Sequence, residues 1–412
     1  MAVLGAVYSW SLYAQPLGHA YGWSARTTTG AFSTAIFFLG VGAIAGGRLQ
    51  DQLGPRPVAL AGAACWALGN LAAGLGTERL GAPWLYLSYG VVGGLGLGLG
   101  YVTPVAAVAK WFGARRGLGT GLVVMGFGLG AFLYNLAMRA LGPMTDAATI
   151  GHRFTGSGLV FGAVGLCAAA LLRDPPAGAP DCPPVSAADP ATAGSTAGAI
   201  ADRDLEVSWT PSRALRTPQF WALWAMLFLN VAAGILFISS AVPLLCELAA
   251  IPADQAVAVY GAIAVANGLG RFFWGAVSDR LGRRLAFALI YGVQAVVFAL
   301  VGRVHALPAV TALFALVLLC YGGGFGTMPS LCADWFGTRH LGVNYGWILS
   351  AWGVAGVAGP TFVAVVKDLT GSYLGALPVM AAVLALALVL PAVARAPGPM
   401  WDARPLPPPP FS

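Results

Sequence analysis

The chain has 412 residues, 58% of them hydrophobic and only 9% charged, against about 25% charged in an ordinary soluble domain. So few charges exclude a water-soluble globular fold. The net charge of +7 does not point to nucleic acid, because the basic residues sit in short loops between apolar runs rather than along one stripe.

A hydrocarbon core about 30 Å thick takes about 20 apolar residues in a helix that rises 1.5 Å per residue. Runs of that kind fall near residues 2–17, 28–46, 57–76, 83–108, 117–140 and 155–172, then near 218–246, 255–278, 285–303, 308–332, 343–366 and 373–395. The pattern predicts an all-α membrane protein with 12 transmembrane helices in two six-helix pseudo-symmetric bundles. Residues 1–172 and 218–395 form the bundles, with 173–217 as a cytoplasmic linker and 396–412 as a disordered cytoplasmic tail. The first run begins almost at Met1 with no cytoplasmic flank, so it is expected either to be short and tilted or to continue upstream. No basic leading region or small-residue cleavage site marks it as a signal peptide.

The linker begins "RDPPAGAPDCPPVSAADPATAGSTAGA", a tract too polar and too rich in Pro and Gly to offset its ordering entropy by burial. Its last part, "WTPSRALRTPQFW", is basic and amphipathic and predicts a short helix at the membrane surface. The tail "PLPPPPFS" predicts polyproline II or no fixed structure.

Glycine, at 57 residues, is near twice its usual share and lies largely inside the runs, where small residues let membrane helices approach closely. "GGLGLGLG" is not a phosphate loop, since no strand precedes it and no Gly-Lys-Ser/Thr follows. The six cysteines (65, 167, 182, 246, 320 and 332) form no Cys-x-x-Cys pair and read as packing residues. No metal or cofactor is expected, and no His-Glu-x-x-His or nucleophile elbow suggests an enzyme.

The halves repeat one another. "GGRLQDQLGPR" (46–56) matches "WGAVSDRLGRR" (274–284), and "KWFGARRGLG" (110–119) matches "DWFGTRHLGV" (334–343), at offsets of 228 and 224. Two matches at nearly one offset imply parallel six-helix halves, the architecture of alternating-access carriers. Of the 22 basic residues, 15 fall on the side of the amino terminus and 6 on the other, with Arg271 left over inside a run. Both termini are therefore expected in the cytoplasm, with a bacterial inner membrane as the setting.

The spacing Gly47, Leu49, Asp51, Gly54, Arg56 and its echo Gly275, Asp279, Arg280, Gly282, Arg283, Arg284 resembles the loop motif of the major facilitator superfamily. An Asp beside arginines and helix ends predicts a latch that forms in one state and breaks in another. More narrowly, "YSWSLYAQPL", "YVTPVAAVAKWFGARRGLGTGL", "LRTPQFW", "NGLGRFFWGAVSDRLGRR" and "FGTRHLGVNYGWILSAWGVAGVAGP" resemble the oxalate:formate antiporter family, relatives of monocarboxylate carriers. That resemblance implies a carboxylate bound by an arginine on the eighth helix. It also implies, for oxalate exchangers, a lysine on the eleventh helix, where this chain has Trp352.

Arg271 lies eight residues, roughly 12 Å along a helix, from Asp279 and so close to the bilayer midplane. A charge there costs about 2.5–3.5 kcal/mol and persists where it faces a polar cavity and a partner. The acids fall in loops or at helix ends, so the expected counter-charge is a substrate carboxylate, whose oxygens match the guanidinium fork. Asn267, four residues earlier, shares its helix face. Tyr8, Tyr101, Phe127, Tyr321, Phe325 and Trp352 are candidates for an aromatic cage that sizes the ligand and excludes water. With Trp352 in place of the lysine, one cation remains, which favours formate-, lactate- or pyruvate-like acids over oxalate. Lys367 is fifteen residues beyond Trp352, about 22 Å along an unbroken helix, and reads as a snorkelling residue.

The expected function is alternating-access transport of a small carboxylate, with oxalate:formate exchange as the alternative and a non-transporting membrane sensor as the reading from another class. Antiport and proton symport both stay open. Glu247 is the one proton carrier to be named, since the four histidines (19, 152, 305, 340) lie in loops or helix ends. The protein is expected to act as a monomer in the lipid bilayer.

Overall fold

The computed structural model describes residues 1–175 and 208–397, and every element in them is helical. With no water to satisfy N–H and C=O groups in lipid, a helix that closes all its bonds within itself is the available solution. The helices are α1 (Ala2–Gly5), α2 (Ser11–Tyr21), α3 (Ala25–Leu53), α4 (Pro55–Leu85), α5 (Gly94–Trp111), α6 (Arg116–Ala140), α7 (Ala147–Ala170), α8 (Pro211–Ala214), α9 (Pro218–Ala249), α10 (Ala253–Ile263), α11 (Val265–Leu281), α12 (Arg283–Leu300), α13 (Leu307–Phe336), α14 (Leu341–Thr370), α15 (Ala376–Ala387) and α16 (Val389–Val393).

Ten stretches among the described residues are long and apolar enough to cross a membrane. One of them, Pro55–Trp111, is two antiparallel legs. Gly81 departs from helical geometry (φ 71°, ψ −160°), and the close contacts of Gly76 with Trp84, Gly69 with Gly93, and Gly62 with Gly96 and Gly100 are arranged symmetrically about it. The first run, expected to end at residue 17, continues to Tyr21 and is broken: a 3₁₀ turn, Ala6–Ser9, separates α1 from α2. These two features are where the ten continuous spans among the described residues depart from the twelve crossings expected.

The turns that close the internal repeat are the same in both halves. Gly54 and Gly282 end α3 and α11 with φ of 80° and 84°, and Gly113 and Gly337 follow α5 and α13 with φ of 38° and 78°. A Cβ is disfavoured at these angles, which is why glycine recurs at the two offsets read from the sequence.

Between the halves, α3 packs against α14 and α6 against α11. A Cβ on Gly47 would fall 2.0 Å from the Gly342 carbonyl oxygen, and one on Gly117 2.2 Å from that of Gly275. The backbones touch, and only glycine allows it.

The basic segment ahead of α9, expected to hold a short helix, does hold one. It is the single turn α8, and the segment is fastened to protein: Trp209 donates its backbone N–H to the Phe336 carbonyl (2.9 Å), and Asn344 donates to the Trp209 carbonyl (3.0 Å). Most of the linker, all of the tail beyond residue 397, and Cys182 lie outside the described residues.

Candidate functional site

Arg271 on α11 is fully buried. Its Nε donates to Asn267 Oδ1 at 3.4 Å and its Nη1 to the Tyr101 hydroxyl at 3.3 Å. Both bonds are long for N–H···O, where about 2.9 Å is usual. Nη2 has no partner. Among the described residues no carboxylate pairs with this guanidinium.

Aromatic faces surround it instead. The guanidinium carbon lies 4.6 Å from the centre of the Phe325 ring and 5.2 Å from that of Phe127. Such cation–π contacts offset part of the burial cost and leave the in-plane N–H groups free to bind an anion. Trp352 stacks edge-on against Phe325 (4.7 Å), Tyr101 (5.4 Å) and Phe127 (5.5 Å). Tyr8 reaches Phe127 (5.5 Å) and Trp352 (5.9 Å), and Tyr321 packs on Phe325 (5.4 Å). All eight residues read from the sequence thus meet in one cluster formed by both halves.

The cage bridges the halves directly: the Tyr8 and Tyr321 hydroxyls are 2.8 Å apart. Above that bridge, on the side away from the loop motifs, is a cavity of about 340 Å³ whose lining includes Tyr8, Gly128 and Asn267. Gly128 faces α11 so closely that a Cβ there would lie 3.2 Å from Arg271 Nε. Arg271 therefore lies just beneath the cavity floor, with Tyr8 at the boundary.

On the motif side the path is shut. Thr120 of α6 lies 3.1 Å from Ser330 of α13, hydroxyl to hydroxyl. Beyond it, two aspartates close the end symmetrically. Asp51, near the end of α3, accepts from the Gly342 and Val343 amides at the start of α14 (3.2 and 3.0 Å). Asp279, near the end of α11, accepts from the Gly117 and Leu118 amides at the start of α6 (3.0 and 2.7 Å). Each carboxylate sits on the positive end of a helix in the other half.

The latch differs from the expected arginine pairing. Arg283 joins it through Asp279 (2.6 Å) and Asp334 (3.1 Å), whereas Arg56 and Arg280 are exposed and make no ion pair among the described residues. Arg284 points elsewhere and donates to the Pro391 carbonyl (2.8 Å) at the end of α16. Glu247 is exposed at the far end of α9, bonded to the Ser372 hydroxyl, and is remote from the cage. Lys367 lies at that end too, on the Tyr373 hydroxyl (2.8 Å).

Three contributors escaped the sequence reading. Tyr345 is fully buried and interacts with Tyr101 and Arg271. Asn230 donates to the Tyr321 carbonyl (3.0 Å) and accepts from Gln294 (2.8 Å), fixing the backbone behind the cage. A polar residue inside an apolar run was the available signal for Asn230 and Gln294; for Tyr345 there was none.

A helical bundle of two repeated halves with a buried cation between them, closed at one end, has the architecture of a membrane carrier. The Major Facilitator Superfamily model matches residues 1–360 and again 250–412, and the chain belongs to that superfamily. It is thus a multi-pass membrane transporter and not an enzyme. The chain is 29% identical over 366 residues to the oxalate:formate antiporter of Oxalobacter formigenes, covering 87% of this chain and 80% of that one. It is also 29% identical over 386 residues to apicoplast pyruvate carrier 1 of Toxoplasma gondii, covering 79% and 67%. Among solved structures, the fucose:proton symporter FucP of E. coli shares the fold, with a TM-score of 0.64 at 16% identity over 96% of this chain and 98% of that one.

Proposed function

We propose that this transporter carries small monocarboxylates of the formate, lactate or pyruvate kind, with Arg271 binding the carboxylate. One observation carries the reading: a fully buried guanidinium with an unpartnered Nη2 and no protein carboxylate among the described residues. A planar carboxylate supplies two acceptors to such a fork, and the gain is large where water is excluded. The cage presents one cation, with Trp352 fully buried among its rings. A monoanion balances that charge; oxalate would bring a second carboxylate to an aromatic wall. The names of the two relatives, an oxalate:formate antiporter and a pyruvate carrier, support the carboxylate class.

In this reading transport proceeds as a sequence of contacts. Substrate enters the cavity, parts the Tyr8–Tyr321 bridge and engages Arg271. Its charge and hydrogen bonds then favour rearrangement of the cage, and the latches at Asp51 and Asp279 release as the halves rock. The empty carrier keeps its guanidinium in the cage and reorients slowly, which favours exchange over proton coupling. The excess of basic residues around the latch end supports placing that end, with both termini, in the cytoplasm of a bacterial inner membrane.

Uptake of labelled formate, lactate, pyruvate and oxalate into proteoliposomes tests the reading. Saturable uptake of a monocarboxylate, lost in Arg271→Lys, is expected. Full activity of that variant would remove the bidentate role, because an ammonium lacks the planar fork.

A further inference from the structure

The cavity above the cage has a second cation that the transport cycle just described does not use. Arg139, in the last turn of α6, is exposed and, among the described residues, is the sole charged side chain lining that cavity. It forms no hydrogen bond or ion pair among the described residues. Asn135, one turn deeper on the same helix, also lines the cavity, as do Ser11 and Tyr8. The facing wall from α9, α10 and α13 contributes Ile238, Val257, Ala258 and Leu318 and is apolar apart from Tyr260. Polar groups therefore mark a route from Arg139 and Asn135 on α6 down to Asn267 on α11, with Arg271 just beneath the floor.

Distance decides what Arg139 can do. It lies eleven residues beyond Gly128, the α6 residue packed against Arg271, which is roughly 16 Å along the helix. A formate, lactate, pyruvate or oxalate ion cannot span that gap, so Arg139 is no substitute for a second clamp at the cage. A positive charge in a cleft with low-dielectric walls raises the local concentration of anions and the rate at which they arrive.

We propose that Arg139 is a capture site at the cavity mouth, holding the incoming carboxylate ahead of Arg271. The proposal rests on the carboxylate reading above. It assigns different chemistry to the two arginines: at the solvated mouth a point charge suffices, whereas the buried site needs the guanidinium fork.

The test is the association rate of each of the four acids with the purified full-length carrier in nanodiscs, read by stopped-flow tryptophan fluorescence, at low salt and at 1 M salt. For the acid with saturable uptake, Arg139→Gln should slow association by about 10-fold at low salt and abolish most of the salt dependence. At 1 M salt, where the screening length is about 3 Å, wild type and variant should converge. Arg139→Lys should behave as wild type, unlike Arg271→Lys, and the signal at saturation should be unchanged in both Arg139 variants. Wild-type rate and salt dependence in Arg139→Gln would overturn the capture site while leaving the Arg271 reading intact. Absence of saturable uptake of every acid by the wild type would overturn both.

Discussion

Arg271 and Arg283 stand on consecutive helices, and the structure treats them in opposite ways. Arg283 is held by Asp279 at 2.6 Å and Asp334 at 3.1 Å, and it donates to the Ser278 hydroxyl at 2.6 Å. Arg271 has two long bonds to neutral groups, two aromatic faces and a bare Nη2. A cation matched by the protein's own carboxylates fixes a conformation; one matched only by neutral groups remains able to bind an anion from outside. The first kind belongs at a latch and the second at a transport site.

The largest effect should come from giving up the unmatched cation. Removing one partner of a buried, hydrogen-bonded charge pair costs about 2–5 kcal/mol of binding, so Arg271→Gln should weaken carboxylate affinity by at least about 30-fold. The rise in melting temperature produced by the transported acid should disappear with it. If Arg271→Gln kept that rise, the substrate anion would have to bind elsewhere.

Adding a cation to the cage sharpens the contrast from the other side. Trp352→Lys would offer a dianion a second charge-assisted bond, worth about 1.5–3 kcal/mol, and should raise oxalate affinity by about 10-fold or more while lowering that of the monocarboxylate. Competition of oxalate against the labelled monocarboxylate measures the exchange of preference. An unchanged ratio would mean that position 352 does not set the charge of the cargo.

The matched cation can be loosened at Asp279. Asp279→Asn removes the charge that Arg283 and the α6 amides share and should cost the latched state about 1–3 kcal/mol. Cys332, fully buried near the end of α13, reports the change: in a variant with the other five cysteines replaced by serine, maleimide labelling of Cys332 should rise. Asp51→Asn should do the same through the equivalent contact with α14, and a response to one aspartate alone would break the symmetry of the two latches.

The smallest effect is expected at Arg284, which shares the loop motif but bonds carbonyls at the end of α16. Arg284→Ala should leave uptake and Cys332 labelling unchanged and lower stability by about 0.5 kcal/mol, the ordinary worth of a cation at a helix C-terminus.

Arg284 also shows where sequence reading stops. Its spacing from Asp279 is as motif-like as that of Arg283, and only the position of α16 decides which of the two joins the latch. The span boundaries were legible because hydrophobic length is a local property, although most described helices run several residues past the apolar runs, as α3 does at Ala25–Leu53. Tyr345 was hidden because α14 is apolar on nearly every face and carries no stripe to mark its inner side. Arg139 was legible as a basic residue at the far end but not as the lining of a cavity.

From the sequence alone come a membrane-spanning helical protein, a duplicated half with glycine turns at two offsets, and one cation stranded in an apolar run. These rest on composition, on periodicity and on the cost of charge in lipid, all of which act residue by residue. Folding decided that seven side chains from six apolar runs converge on one guanidinium, that aspartates cap the helices of the opposite half, and that one end is closed. Those facts depend on which faces of nearly uniform helices meet, and packing between the halves sets that.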